Sequence, residues 1–232
     1  MMQFDCFEVN GMTKELFNKI ENYMKSCVKE TAHDREHIYR VLGNCLKIAE
    51  KESNVDYDIL LSAALLHDIG RDGKKKKHNE TGAEMAREYL RTIDFPVEKI
   101  ESVCDAVFTH SNESYGQQKT LEAKILYDAD KLDAVGIMGI SRSLIGIGNY
   151  NNPMYVVNDG KIDMDENCET DTFVRYYVRR VAKNYDRFFT KTAQEIADKQ
   201  KTIDNEFFGS LVNLVNDNCA KLRTIDDILS DN

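Results

Sequence analysis

The chain has 232 residues, of which 42% are hydrophobic and 31% charged, a balance that excludes both a disordered chain and a membrane protein. Its formal net charge of −9 argues against an extended nucleic-acid-binding surface, which needs many basic groups. The longest central run without a charge, residues 59–66, is far shorter than the ~20 residues of a membrane span. The first ten residues lack the basic cluster of a secretory signal, so we expect a cytoplasmic protein.

Apolar residues recur with helical spacing along most of the chain. The pattern predicts helices over about 13–28, 34–50, 58–69, 80–91, 96–110, 121–140 and, in one or two pieces, 171–215. The third of these is apolar on nearly every face, which is typical of the helix at the centre of a domain.

The remaining segment, residues 147–169, is rich in turn formers and predicts a loop with a small hairpin around Asp159–Gly160. The expected fold is all-α: a compact helical bundle with a hairpin insertion around 150–168. No linker divides the chain, so we expect a single domain over residues 1–232. Its core would span about 20–145, with C-terminal helices over about 171–215 packing on it.

All five histidines lie in the first half of the chain: His33, His37, His67, His78 and His110. Of these, His67 and the adjacent Asp68 end the apolar third helix, where an unpaired carboxylate would be costly to bury. Asp130 raises the same problem within another apolar helix. A divalent cation would satisfy such groups, because imidazole and carboxylate are its usual ligands.

Two His-Asp doublets occur, and we favour the second as the ligand pair. His33–Asp34 lies at a charged helix start, where an aspartate favours the helix N-terminus. His67–Asp68 lies in the core helix. In the first segment we favour His37 as a ligand, because it precedes the apolar face of its helix.

This arrangement resembles the HD-domain superfamily of metal-dependent phosphohydrolases. The resemblance lies in His37, in His67–Asp68 within LLHDIG and in Asp130 within DADKLDA. The segments AALLHDIGR and TLEAKILYDADKLDAVG are similar to the bacterial single-domain branch, with good likeness over residues 20–145 and looser likeness over 180–215. The resemblance implies an all-helical fold in which those four residues hold a divalent ion, namely Mn, Fe, Ni, Co, Zn or Mg.

The resemblance leaves two roles open for His78 and His110. They stand where two-metal members carry extra histidines, in which case Asp68 would bridge two ions. Alternatively they surround a single metal or touch the substrate. His33 is similar to the first histidine of the branch's H-D-x-x-H segment and is not expected to bind metal. The chain departs from the branch over residues 147–169, so substrate specificity does not carry over.

Further residues are candidates for chemistry around the metal. The basic groups after the doublet could bind phosphate, as could one on a later helix: Arg71, Lys74, Lys75, Lys76, Lys77 and Arg142. Most such charge runs are solvated loops. As general acid or base we favour Asp72, with Glu80 in reserve. Asp133 shares a helix face with Asp130 and is placed to orient a ligand or water.

The sequence therefore predicts a metal-dependent phosphohydrolase that acts on a small phosphorylated metabolite, namely a nucleotide. Similarity to the branch favours nucleoside triphosphate pyrophosphohydrolysis, with nucleotide monoester or phosphodiester hydrolysis as alternatives. A hypothesis of another class is a metal-bound nucleotide sensor that does not turn its ligand over. The expected partner is the small substrate, with no membrane or extended nucleic acid.

Overall fold

The computed structural model describes residues 11–28, 34–71, 77–165, 171–222 and 225–230, which are mostly helical. The all-α prediction is confirmed, since strands occur in the described residues only as one short hairpin. No helix in these ranges has the length and apolarity needed to cross a membrane. The described chain forms two compact units, one running to Asp133 with Arg187–Gln194 added, the other comprising Ala134–Asp186 and the residues from Glu195 onward. The single-domain organisation stays a prediction.

The first unit is built around one buried helix, α3. Its helices are α1 (Lys14–Cys27), α2 (Arg35–Ala49), α3 (Tyr57–Leu66), α4 (His78–Leu90), α5 (Val97–Thr109) and α6 (Leu121–Leu132). Helix α3 packs against α1, α2, α5 and α6. Every residue from Asp58 to Leu66 is buried, as its nearly uniform apolar sequence predicts.

The starts of four of these helices follow from their capping residues. A side-chain oxygen accepts a backbone N–H bond of the first turn at Thr13 before α1, Asp34 before α2, Asp56 before α3 and Thr120 before α6. At Asp34 the donor is the backbone N–H of His37, 2.9 Å away. This cap therefore fixes the first turn of α2, which carries His37.

Close backbone approach at Gly70 sets the path of the chain after α3. A Cβ atom there would lie 2.2 Å from the carbonyl oxygen of His78 and 2.4 Å from the backbone nitrogen of Gly82. Only glycine leaves room for this contact. The first turns of α4 therefore lie directly against the turn that carries His67 and Asp68.

The prediction of one helix over 121–140 is wrong. Helix α6 ends at Leu132, and the next helix, α7 (Gly136–Asn149), begins after extended Val135. Gly136 has a φ of +62°, which interrupts the helix and favours glycine. Its backbone N–H donates to the Tyr185 hydroxyl at 3.2 Å and to Asp204 at 3.4 Å. The apolar pattern continues across the break, so the sequence alone hides it.

The second unit contains the predicted hairpin. Strands β1 (Val157–Asn158) and β2 (Lys161–Ile162) pair antiparallel, with Val157 opposite Ile162. The turn residues Asp159 and Gly160 have φ values of 50° and 72°. Positive φ at both positions is typical of a type I′ turn, so the hairpin prediction is confirmed and its turn type follows from the Asp-Gly pair.

The predicted C-terminal helix is more broken than its pattern suggests. It comprises α8 (Phe173–Tyr176), a π-helical turn (Tyr177–Val181), a 3₁₀ turn (Ala182–Asp186), α9 (Lys191–Leu222) and α10 (Ile225–Ser230). Asp128 on α6 determines where α9 begins. Its carboxylate accepts the backbone N–H groups of Phe189 at 2.9 Å and Thr190 at 2.7 Å, and the Thr190 hydroxyl at 2.7 Å. Through this buried contact, residues Arg187–Gln194 pack as part of the first unit, to which Asp128 also belongs.

Candidate metal centre

Imidazole and carboxylate groups from three helices meet in the first unit. His37 lies in the first turn of α2, His67 and Asp68 follow α3, and Asp130 lies in α6. The two histidines are fully buried, and Asp68 and Asp130 are 3% and 9% exposed. Three segments that are far apart in sequence thus place polar side chains together in a buried part of the unit.

The inward-facing atoms of this cluster are a few ångströms apart. His37 Nε2 lies 3.3 Å from His67 Nε2, 3.5 Å from Asp68 Oδ2 and 3.4 Å from Asp130 Oδ1. His67 Nε2 lies 3.7 Å from Asp68 Oδ2. Two ligand atoms that are each about 2.1 Å from one ion lie roughly 3.0–3.4 Å apart. The donor atoms of His37, His67 and Asp68 all lie within 4.8 Å of one another, close enough to hold a cation after a small adjustment.

The outer nitrogens of the imidazoles fix which nitrogen faces the cluster. His67 Nδ1 lies 2.8 Å from the carbonyl oxygen of Ala64, which can only accept, so Nδ1 carries the proton. His110 Nδ1 stands in the same relation to the carbonyl oxygen of Val107, at 2.5 Å. Burial lowers the pKa of His67 to about 3, so its ring is neutral and Nε2 presents a lone pair.

An aspartate fixes which ring nitrogen of His37 faces the cluster. His37 Nδ1 donates to Asp133 Oδ2 at 2.7 Å, and Arg40 Nε donates to Asp133 Oδ1 at 2.7 Å. Both oxygens of Asp133 accept hydrogen bonds from the Arg40 guanidinium, so the carboxylate also accepts the Nδ1 proton, and Nε2 of His37 faces inward. Such an outer carboxylate orients a ligating histidine and raises its basicity.

The donor set fits a divalent cation. When Nδ1 is the only protonated nitrogen of each ring, His37 and His67 direct two Nε2 lone pairs at each other across 3.3 Å, beside two carboxylates. Negative and lone-pair-bearing atoms repel one another strongly when buried. A cation held by His37, His67, Asp68 and Asp130 would remove this repulsion, and nitrogen-plus-oxygen ligation suits a borderline-to-hard metal.

Asp130 carries a buried partner that sequence reasoning missed. Lys131 Nζ donates to Asp130 Oδ2 at 2.7 Å and lies 5.1 Å from the centre of the Tyr127 ring. Burial favours the neutral acid, but the Lys131 ammonium holds the pKa of Asp130 well below its usual value. The sequence does contain a signal for this contact, because Lys131 directly follows Asp130 in the apolar-flanked segment DADKLDA. Arg40 was missed too, because its link to the cluster runs through Asp133.

A second group of donors adjoins the first through Asp68. Its Oδ1 lies 3.4 Å from His110 Nε2 and 3.9 Å from His78 Nε2. Arg71 lies within this group: its Nε donates to Asp68 Oδ1 at 2.7 Å, and its Nη2 lies 3.1 Å from His78 Nε2. The structure therefore brings His78, His110 and Arg71 together with the predicted ligands.

The other predicted site residues fall into three groups. Lys77 and Glu80 form an exposed ion pair with each other at 3.0 Å. Arg142 lies on α7, in the second unit. The remaining candidates lie outside the described residues: His33, Asp72, Lys74, Lys75 and Lys76.

The chain is similar to known proteins in sequence. Residues 35–135 match the family model of the HD domain. The YpgQ protein of Bacillus subtilis is 24% identical over 201 residues, which cover 83% of this chain and 90% of YpgQ.

Solved structures are similar over most of the chain. The crystal structure of YpgQ in complex with ADP has a TM-score of 0.66 and 23% identity, covering 84% of this chain and 92% of that one. An HD-superfamily hydrolase from Bacillus thuringiensis has a TM-score of 0.68 and 22% identity, covering 88% and 98%. At this identity the two structures establish the fold.

Replacing Asp133 with asparagine should weaken divalent-ion binding by about 10–100-fold, because His37 loses the carboxylate that orients its ring. The affinity can be measured by calorimetric titration of the metal-free protein with Mn²⁺. Asp94→Asn is the matched control, since Asp94 is fully exposed. Equal affinities of Asp133→Asn and the control would contradict this role for Asp133.

Proposed function

We propose that the chain, whose residues 35–135 match the family model of the HD domain, is a divalent-metal-dependent phosphohydrolase acting on a nucleotide. The leading reaction is hydrolysis of a nucleoside triphosphate to the monophosphate and pyrophosphate. The observation that carries the proposal is the buried group of His37, His67 and Asp68, whose donor atoms lie within 4.8 Å of one another, with Asp130 Oδ1 3.4 Å from His37 Nε2.

Each member of the cluster has a defined task. His37 and His67 would offer Nε2 to the cation, and Asp68 and Asp130 would each offer a carboxylate oxygen. A bound divalent ion supplies Lewis acidity, polarising a phosphoryl oxygen and lowering the pKa of a water. Asp133 and the carbonyl of Ala64 hold the two rings in the required tautomer. The chain itself therefore contributes preorganised ligands.

Two cations next to the cluster suit an anionic substrate. Lys131 is buried and touches Asp130, and Arg71 is 26% exposed by side chain and touches Asp68. Phosphoryl transfer concentrates negative charge on the phosphoryl oxygens, which such groups stabilise. They provide local positive charge in a chain whose formal net charge is −9. This combination favours one small phosphorylated substrate over a nucleic-acid strand.

The nucleotide class is supported by a relative. YpgQ, which shares the fold, has been crystallised in complex with ADP. A site that accepts a nucleoside diphosphate has room for a base, a sugar and more than one phosphate. Cleavage between phosphates is the leading reaction, and cleavage of a monoester or diester would use the same cation and ligands.

A test is to incubate the purified protein with each nucleoside triphosphate and Mn²⁺ and to separate the products by ion-exchange chromatography. We expect equal amounts of nucleoside monophosphate and pyrophosphate. Asp68→Ala should abolish both metal binding and turnover, because Asp68 contributes to the cluster. Glu84→Ala, an exposed carboxylate on α4, is the control.

The products also separate the alternatives. Orthophosphate with a nucleoside would identify monoester hydrolysis instead. A nucleotide that binds stoichiometrically and is recovered unchanged would identify a non-catalytic sensor. Absence of turnover of any nucleotide would contradict the proposed enzyme.

Replacing Lys131 with methionine should lower kcat/KM by about 10²-fold, because the substitution removes a buried positive charge next to the cluster and keeps an unbranched side chain of similar length. Lys77→Met is the matched control, since Lys77 is exposed and paired with Glu80. Steady-state kinetics with the best substrate measure both variants. Indistinguishable kcat/KM values for the two would show that Lys131 does not act on the substrate.

A further inference from the structure

The second donor group raises the question of how many ions the site holds. Asp68 Oδ1, His78 Nε2 and His110 Nε2 lie within 4.8 Å of one another, which is close enough to hold a cation. Arg71 lies among these same atoms. We propose that the Arg71 guanidinium takes the place of a second cation, so that the centre binds one divalent ion. This inference rests on the proposed metal-dependent function.

Arg71 uses the lone pairs that a second ion would need. A guanidinium can only donate hydrogen bonds, so His78 Nε2, 3.1 Å from Arg71 Nη2, must be the unprotonated, accepting nitrogen. Asp68 Oδ1 accepts from Arg71 Nε at 2.7 Å. An ion at this position would have to displace both contacts.

The two carboxylate oxygens of Asp68 have different partners. Oδ2 lies 3.5 Å from His37 Nε2 and 3.7 Å from His67 Nε2, on the side of the first cluster. Oδ1 receives Arg71. Asp68 therefore connects the position of the first cation with a fixed side-chain cation, in the arrangement that would otherwise bridge two ions.

Charge reinforces this exclusion. The guanidinium stays protonated at all ordinary pH values and is a few ångströms from the donor atoms of the second group. A divalent ion there would meet a like charge at short range in a partly buried site, where repulsion is poorly screened. The singly charged Arg71 guanidinium thus takes the place of a doubly charged metal ion.

The backbone holds Arg71 in place. The residue lies three positions after Asp68, in the turn that follows α3, so the two side chains meet on one side of the turn. Gly70 lets the start of α4 approach that turn closely, which places His78 within reach of the same guanidinium. The planar fork of arginine can then contact Asp68 and His78 at once, through two different nitrogens.

The test is the metal content of wild type, Arg71→Met and Arg71→Ala after equilibrium dialysis against Mn²⁺. Inductively coupled plasma mass spectrometry gives ions per chain, and electron paramagnetic resonance distinguishes isolated from exchange-coupled Mn²⁺. We expect one isolated ion in wild type and two coupled ions in the variants. Arg87→Met, which removes an arginine paired with Glu84 and Glu101, should match wild type.

The outcomes separate this inference from the proposed function. Two ions in wild type, or one ion in folded Arg71→Met and Arg71→Ala, would overturn the role of Arg71 and leave the proposed function standing. No bound ion in wild type would overturn both. Circular dichroism establishes folding, and the wild-type count tests the inference even if both variants fail to fold.

Discussion

The structure depends on keeping two imidazole lone pairs and two carboxylates close together away from water. His37 Nε2 and His67 Nε2 lie 3.3 Å apart, with Asp68 and Asp130 beside them. Without positive charge among them, such groups repel one another and lose their hydration, which costs free energy. A cation bound at this point, as we propose, would offset that cost.

The surrounding elements hold the cluster in a single arrangement. Asp34 caps α2 and fixes the turn that carries His37, while the glycine at position 70 lets α4 reach the turn after α3. Behind the two imidazoles, Asp133 and the carbonyl of Ala64 select the tautomers of the rings. Two positive side chains lie beside the cluster: Lys131 contacts Asp130, and Arg71 contacts Asp68. In the proposed phosphohydrolase, this fixed arrangement would stabilise the phosphoryl oxygens.

Much of the candidate site could be predicted from the sequence, because burying a polar doublet at the end of an apolar helix costs free energy unless the doublet has partners. This reasoning predicts His67–Asp68 and Asp130 as site residues, and the structure places all three beside His37. The contacts of Arg71 and Lys131 could not be predicted, since each depends on how separate elements meet or on which face of a helix is buried. The break between α6 and α7 escaped for a related reason: it depends on contacts of Gly136 with Tyr185 and Asp204, far along the chain.

The most direct test of the central claim is an anomalous difference map, recorded at the manganese absorption edge, from crystals grown with Mn²⁺. We expect a peak bounded by Nε2 of His37 and His67 and by carboxylate oxygens of Asp68 and Asp130. An occupied manganese site elsewhere, with those four side chains in direct contact and no peak among them, would contradict it.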